Sequence, residues 1–472
     1  MMAEAARKVA RVVVPATCAN LGPGFDVLGM AIGIFNEVEI EEFGEAGGTE
    51  GRVSIRVIGE GAASLPGDET NLVYRAAEAV YDATGREMPP VRLTLVNRIP
   101  LSRGLGSSSA AIVGGVLAAN AILGQPLGVD DIFELAVRLE GHPDNVAPAL
   151  FGGVVASLMG DSGLRHIEIS LPADFEAGMN IVVCVPSFDV STTHARSILP
   201  KTVGLSDAVF NIGRVALLVA SLSQGRWDLL GEAMSDRLHQ LHRIALVPGL
   251  GDVIRDAVSS GAAGAALSGS GPSVVAFVRG DVAGASMISG AMKRAFGRHD
   301  VEAVSYITKI SAVGARVVPE GNLRDMAVAS EQLVAGNLGL AVVRGGDVIF
   351  TSRESGIRPL LDAVLQFDGE LEGSVIADKI VGRASALLCI GAGARAVYAP
   401  VMAHGAVGEL ARHGIDFTAG LVVPRILNHA GDDSCPFEKL TAGITDPGEA
   451  LRAIQSFALS HLQREKSKNA KG

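Results

Sequence analysis

Apolar positions along this chain come in short runs separated by glycine, proline and polar clusters, and the runs predict alternating strands and helices. Val12-Val-Val14 reads as a short strand stopped by Pro15. Ala110–Leu123 reads as a small-residue helix after a glycine turn; as the longest apolar stretch, interrupted by Gly114, Gly115 and Asn120, it predicts no membrane span. Towards the C-terminus, Leu340-Ala-Val-Val343 and Asp347-Val-Ile-Phe350 predict a hairpin around Arg344-Gly-Gly346. Ile357–Leu365 and Ile376–Cys389 predict helices, and Ala396-Val-Tyr398 and Leu421-Val-Val423 short buried strands. Helix and strand in alternation imply an α/β sandwich there. Val317-Val-Pro-Glu-Gly-Asn322 marks a junction, with Pro and Gly as turn formers.

Composition narrows the class. At 472 residues the chain predicts two or three domains. Hydrophobic residues make up 48% but aromatics only 4%, and 58 glycines suit an aliphatic α/β protein with many tight turns. A net charge of -11 argues against nucleic-acid binding through a basic face. Four scattered cysteines, Cys18, Cys184, Cys389 and Cys435, form no C-x-x-C pair and read as reduced thiols. Val12–Val14 is too short for the apolar region of a signal peptide, so the expectation is a cytoplasmic protein bound to neither membrane nor nucleic acid. Residues 461–472 read as a flexible, solvated tail.

Chemistry concentrates in a few segments. Pro100–Ala110 reads P-L-S-R-G-L-G-S-S-S-A, with glycines that let backbone N–H groups approach an anion and serines that open a helix. It lacks the Gly-Lys-Ser/Thr ending of a Walker A loop, so helix N-terminus, hydroxyls and a magnesium ion must carry the phosphate charge. Taken alone, a capped helix after a glycine turn explains this loop as well. Gly261–Pro272, G-A-A-G-A-A-L-S-G-S-G-P, is a second small-residue loop, and Pro15–Gly29 contains A-N-L-G-P-G-F-D, with Cys18 just before it as either an inert buried thiol or a reactive one.

These three segments, in this order, resemble the three motifs of the GHMP kinases over residues 10 to 315. Ala19–Asp26 resembles the homoserine kinase branch, as do Glu140–Pro148 with Phe151-Gly-Gly153, Ser191–Arg196 with Leu199-Pro200, and Asp236–Gln240 through Arg243. The resemblance implies a two-lobed α/β (α+β) kinase over residues 1–318. Its N-terminal lobe, about 1–165, would be ribosomal-protein-S5-like, and its C-terminal lobe, 166–318, ferredoxin-like. It implies transfer of phosphate from ATP, with Mg2+, to the side-chain hydroxyl of L-homoserine in threonine biosynthesis, by a homodimer. A GHMP kinase for another small alcohol, mevalonate or shikimate, is the near alternative, and a non-catalytic ATP-binding sensor the remote one.

By the same resemblance Pro100, Leu101, Ser102, Arg103, Gly104, Leu105, Gly106, Ser107, Ser108, Ser109 and Ala110 hold ATP, with Asn71 at the adenine, helix capping by Thr70 or Asn71 being an equally good reading. Ser107 and Glu140 are the expected magnesium ligands, with Glu134 as alternative carboxylate. Arg196 and Arg243 would fork the substrate carboxylate, with Arg237 competing for the second place, while Asn20 and Asp26 take the amino end. Thr192 and Asn145 would lie at the transferred group, with His142 and Asp144 shaping the site. An Asn at 145, where some superfamily members carry an Asp base, implies catalysis by positioning and charge stabilisation.

Residues 322–460 resemble uncharacterised domains with a cytidine-deaminase-like fold, through Ala377–Ala384, Val397–Met402 and Ser434–Lys439. The zinc chemistry of deaminases needs ligands this chain lacks: Ile376 stands at the first ligand, Asp378 at the catalytic Glu, and Cys435-Pro-Phe-Glu438 at the paired cysteines. His404, His413 and His429 share no metal-binding spacing. The expectation is a ligand-binding or regulatory module, with Asp378, Lys379, Cys435 and Glu438 lining any surviving pocket.

Overall fold

The computed structural model describes residues 8–43, 52–160, 163–367, 369–428, 430–431 and 433–469. The chain divides into two compact units between Val317 and Val318.

In the first unit, β1 (Val9–Ala19) and β2 (Leu28–Glu42) pair antiparallel from Val9↔Glu41 to Ala19↔Gly29. β1 runs past Pro15, where the short strand was expected to stop: the ladder shifts register between Pro15 and Ala16, so the missing N–H falls at an irregularity. β3 (Val53–Gly59) is parallel to β4 (Val91–Asn97), whose alternating burial places one face inward, and β4 completes this side of the sheet on β2. Between β3 and β4 lies α1 (Leu72–Ala83). α2 (Ser107–Ile122) is apolar and small on nearly all sides and packs among α1, α3 (Val129–Glu140), α4 (Pro143–Phe151), β1 and β2. β5 (Val154–Gly160) joins β2 and forms a hairpin with β6 (Gly163–Glu168).

The second lobe of this unit is a four-stranded antiparallel sheet of β7 (Met179–Pro186), β8 (Gly264–Leu267), β9 (Val274–Arg279) and β10 (Ala303–Thr308) in the order β10-β7-β9-β8. Helices Leu250–Ser259 and Val282–Gly297 complete a βαββαβ chain of strand order 4-1-3-2, the ferredoxin-like arrangement the resemblance implied. Its core includes Val182, Cys184, Val253, Ala276, Ile288 and Phe296. β11 (Arg316–Val317) returns to β1 through Val12↔Val317. Leu205–Gln224, not Ala110–Leu123, is the longer apolar helix: at 20 residues and mean hydropathy 1.5 it is long and apolar enough to cross a membrane by length and composition. Its Asn211, Leu218, Ser221 and Leu222 are buried, and Asn211 donates to the Asp236 carboxylate.

In the second unit, β12 (Leu340–Arg344), β13 (Asp347–Ser352), β14 (Val375–Asp378), β16 (Ala396–Ala403) and β17 (Asp416–Val423) form a mixed sheet in the order β17-β16-β14-β12-β13, with β15 (Ile380–Val381) beside β16. β14, β16 and β17 are parallel, and β12 is antiparallel to both neighbours. Helix Glu320–Ala335 packs on β12, β14 and β16, and its Asp325 accepts hydrogen bonds from the turn amides of Gly345 and Gly346. The expected helix Ile376–Cys389 begins only at Arg383: Val375–Asp378 is buried between β12 and β16, where it pairs on both edges as a strand. The expected tail is helical through Asn469, as Leu462, Gln463, Arg464, Glu465 and Lys466 are all good helix formers continuing Pro447–Asn469. Residues 470–472 and His429 lie outside the described residues.

Candidate active site

A cavity of about 430 Å³ in the first unit collects most of the residues singled out above. One wall is the loop into α2. Gly104 and Gly106 adopt left-handed φ of 72° and 68°, which places the first turn of α2 over the cavity with its N–H groups unpaired by any side-chain cap. The loop has no room for side chains at these points. A Cβ on Gly104 would stand 2.2 Å from the Ser268 carbonyl oxygen, and one on Gly106 1.9 Å from Thr17 Oγ1. Ser268 Oγ donates to the Gly104 carbonyl at 2.6 Å, and the Thr17 amide donates to the Leu105 carbonyl at 3.1 Å, so the second glycine loop and β1 both brace the first.

Leu101, Ser102, Arg103, Gly104, Gly106, Ser107 and Ser108 line the cavity, whereas Pro100, Leu105, Ser109 and Ala110 lie buried outside its lining. Ser109 acts on a carboxylate instead, since its hydroxyl and that of Ser108 donate to the same Glu140 Oε1, at 2.7 and 2.6 Å. Glu140, at the end of α3, is thereby held beside Ser107 on the cavity wall. Glu134, one and two-thirds turns earlier, pairs instead with Arg138 on the exposed side of the helix and is not part of the lining. Asn71 caps α1, accepting from the Val73 amide at 3.0 Å, and also lines the cavity.

The opposite wall is cationic. Asn20 and Asp26 lie in the turn between β1 and β2, both with left-handed backbone, and Asn20 Oδ1 accepts from the Asp26 amide at 3.1 Å. Arg196, on the short helix Thr192–Ser197, forks the Asp26 carboxylate with bonds of 2.9 and 2.7 Å. Arg243 is only 2% exposed and donates to neutral acceptors: the Gly269 carbonyl at 2.8 Å, His239 Nδ1 at 3.1 Å and the Ala195 carbonyl. His239 Nε2 faces the Gly22 carbonyl at 2.7 Å and must donate to it, which leaves Nδ1 as the acceptor for Arg243 and the ring neutral. Burial and then the nearby Arg196 hold the Arg243 guanidinium down at about 10. Arg237 turns away, pairing with Asp207 and lying over the Phe210 ring. The side chain of Phe25 lies beneath both cavity arginines, 5.5 Å from Arg196 and 5.6 Å from Arg243.

Between the walls lie His142, Asp144, Asn145 and Thr192. His142 Nδ1 and Asp144 Oδ1 are 2.7 Å apart. Burial opposes the charged imidazole, but the Asp144 hydrogen bond and charge, with Glu140, raise its pKa on balance. Asn145 accepts from Thr17 Oγ1 at 2.7 Å, and Thr192 Oγ1 lies 3.4 Å from Ser270 Oγ. Cys18 does not line the cavity; burial pushes its thiol up to about 12 and keeps it protonated. Thr17, Phe25, His239 and Ser270 stand at or beside this cavity without being among the expected site residues, although all lie inside the segments Pro15–Gly29, Asp236–Gln240 and Gly261–Pro272. Their signal was position in those segments rather than residue type.

In the second unit Asp378 and Glu438 serve backbone amides. Asp378 accepts from the Ile380 amide at 3.2 Å, and Glu438 accepts from the Arg383 amide at 2.5 Å at the start of helix Arg383–Gly391. Lys379 donates to Asn337. Burial pushes the Asp378 carboxyl up to about 7.

Comparison with known proteins matches these parts separately. The family models for the GHMP kinases N-terminal domain and the GHMP kinases C-terminal domain match residues 71–153 and 218–295, and a domain of unknown function (DUF1893) matches residues 328–458. The homoserine kinase of Moorella thermoacetica is 47% identical over 289 residues, 61% of this chain and 93% of that protein. The homoserine kinase of Desulfitobacterium hafniense is 44% identical over 308 residues, 65% of this chain and 99% of that one. Among solved structures, homoserine kinase from Cytophaga hutchinsonii aligns over 67% of this chain and 100% of its own, at 34% identity and a TM-score of 0.59.

Proposed function

This chain belongs to the homoserine kinases of the GHMP family, and from that premise we propose how its residues transfer the γ-phosphoryl group of ATP to the side-chain hydroxyl of L-homoserine. One observation carries the reading of the acceptor site: among the described residues Arg243 is a buried cation hydrogen-bonded to neutral acceptors alone, in the same cavity as the N–H groups at the start of α2, which no side chain caps. Asp26, Asp236 and Asp144 act on this guanidinium only through space, so its burial stays costly, and a substrate carboxylate hydrogen-bonded to it would relieve that cost.

Arg243 and Arg196 take the carboxylate, with Asp26 released in part from Arg196 to meet the substrate ammonium together with Asn20. The loop from Leu101 to Ser108 and the N-terminus of α2 hold the triphosphate. The donor set of Ser107 and the Glu140 carboxylate fits a magnesium ion, which is content with few protein oxygens and would neutralise phosphate charge there. The new P–O bond forms at the homoserine hydroxyl as the bond to the β-phosphate oxygen breaks. The Asn145 amide cannot accept a proton at neutral pH, so the hydroxyl proton passes to phosphoryl oxygen or water, as a loose transition state permits. Thr192 and Asn145 orient the groups, and the His142–Asp144 pair shapes the wall behind them.

The second unit we read as a ligand-binding or regulatory module without catalysis. ADP release with ATP and magnesium, offering homoserine, mevalonate and shikimate in turn, tests the assignment. Turnover is expected with homoserine alone and lost by Arg196→Ala; turnover with either other acceptor overturns it.

A further inference from the structure

We propose that Thr17 is a positioning residue for phosphoryl transfer: its hydroxyl fixes which end of the Asn145 amide faces the reacting groups. The inference rests on the reading of Asn145 given above. Thr17 is fully buried on β1, and its Oγ1 donates to Asn145 Oδ1 at 2.7 Å across 128 positions of sequence. On its other side Asn145 Nδ2 faces Asp144 Oδ1 at 3.5 Å. A carboxylate oxygen held by His142 can only accept, so the nitrogen end of the amide belongs there and the oxygen end at Thr17. With Oδ1 engaged in the wall, what Asn145 presents to the cavity is N–H, a donor suited to the negative charge on a transferring phosphoryl group.

Thr17 also stands where the phosphate loop turns into α2. Gly106 approaches so closely that a Cβ there would lie 1.9 Å from Thr17 Oγ1 and 3.1 Å from Asn145 Oδ1. The Thr17 amide holds the Leu105 carbonyl from the same residue. One residue thus braces the loop through its amide and sets the polarity of Asn145 through its hydroxyl. Valine at 17 keeps the shape and removes the donor, so the amide is free to invert and present its acceptor to phosphate oxygens.

The test is a double-mutant cycle with Thr17→Val, Thr17→Ser, Asn145→Ala and Thr17→Val/Asn145→Ala, measured as kcat and both KM values. Thr17→Val is expected to lower kcat about 10- to 100-fold with both KM values within about twofold, and Thr17→Ser to restore kcat. The double variant is expected to be no slower than Asn145→Ala, because Thr17 acts through that amide. Wild-type kcat in Thr17→Val beside a slow Asn145→Ala overturns the role of Thr17 alone, as does a fully additive double variant. Wild-type kcat in Asn145→Ala overturns the reading of Asn145 as well. Should Thr17→Val not fold, Thr17→Ala reads the same cycle.

Discussion

His142 illustrates how a single residue in this site answers to its neighbours rather than to its type. Burial alone pulls an imidazole below its ordinary value of 6.5, yet Asp144 and Glu140 reverse the direction. A raised folded pKa means the folded chain holds the proton more tightly than the unfolded one. The resulting stability is fully present below pH 6.5 and is lost as pH rises through the folded value. The Tm advantage of the wild type over His142→Gln is therefore expected to be largest below pH 6.5 and to shrink as pH rises through the folded value. A difference that does not change with pH contradicts it. The same dependence on neighbours separates Arg243 from Arg237. Both were legible as candidates, but Asp236 caps the amides of Leu238, His239 and Gln240, and that local turn sends Arg243 inward and Arg237 outward.

Among elements, the loop into α2 is the one whose geometry could be anticipated from composition, because glycine at 104 and 106 announces left-handed backbone and close approach. The two ends of this helix offer a controlled comparison. Gly124, just past its C-terminus, has φ 80° with nothing within 4 Å of an added Cβ, whereas Gly106 has φ 68° and a Cβ that would collide with Thr17. Gly124→Ala is expected to cost about 1–2 kcal/mol of stability and leave kcat unchanged. Gly106→Ala carries the same backbone strain plus the clash, and kcat/KM for ATP is expected to fall more than about 100-fold. Equal activity of the two variants, measured by ADP release, would sink the claim that loop geometry rather than helix stability is what matters. Strand β14 shows the opposite case. Val375-Ile-Ala377 is an apolar run too short to tell strand from helix by period, and only its pairing with β12 and β16 makes it a strand.

For the whole molecule, the chain divides into two compact units, and the kinase unit retains its own last strand, since β11 ends at Val317 on β1. A chain ending at Val318 is expected to keep kcat and both KM values for ATP and homoserine within about twofold, and to lose any response of the full chain to added nucleotides or amino acids. Loss of turnover on truncation would show that the second unit contributes to the kinase itself, and a full chain with no such response would remove the regulatory reading. Sequence alone carried the resemblance to the kinases and the order of their motifs, because the segments that resemble them, Pro15–Gly29, Pro100–Ala110, Ser191–Arg196 and Gly261–Pro272, are each contiguous. It also determined the break near residue 318, where Pro and Gly interrupt the pattern. Tertiary structure decided which side chains of those segments face the cavity: Glu140 and not Glu134, Arg243 and not Arg237, and the bond from Thr17 to Asn145. Those choices depend on helix phase and on partners 26 to 128 positions away, which residue type and local spacing do not encode.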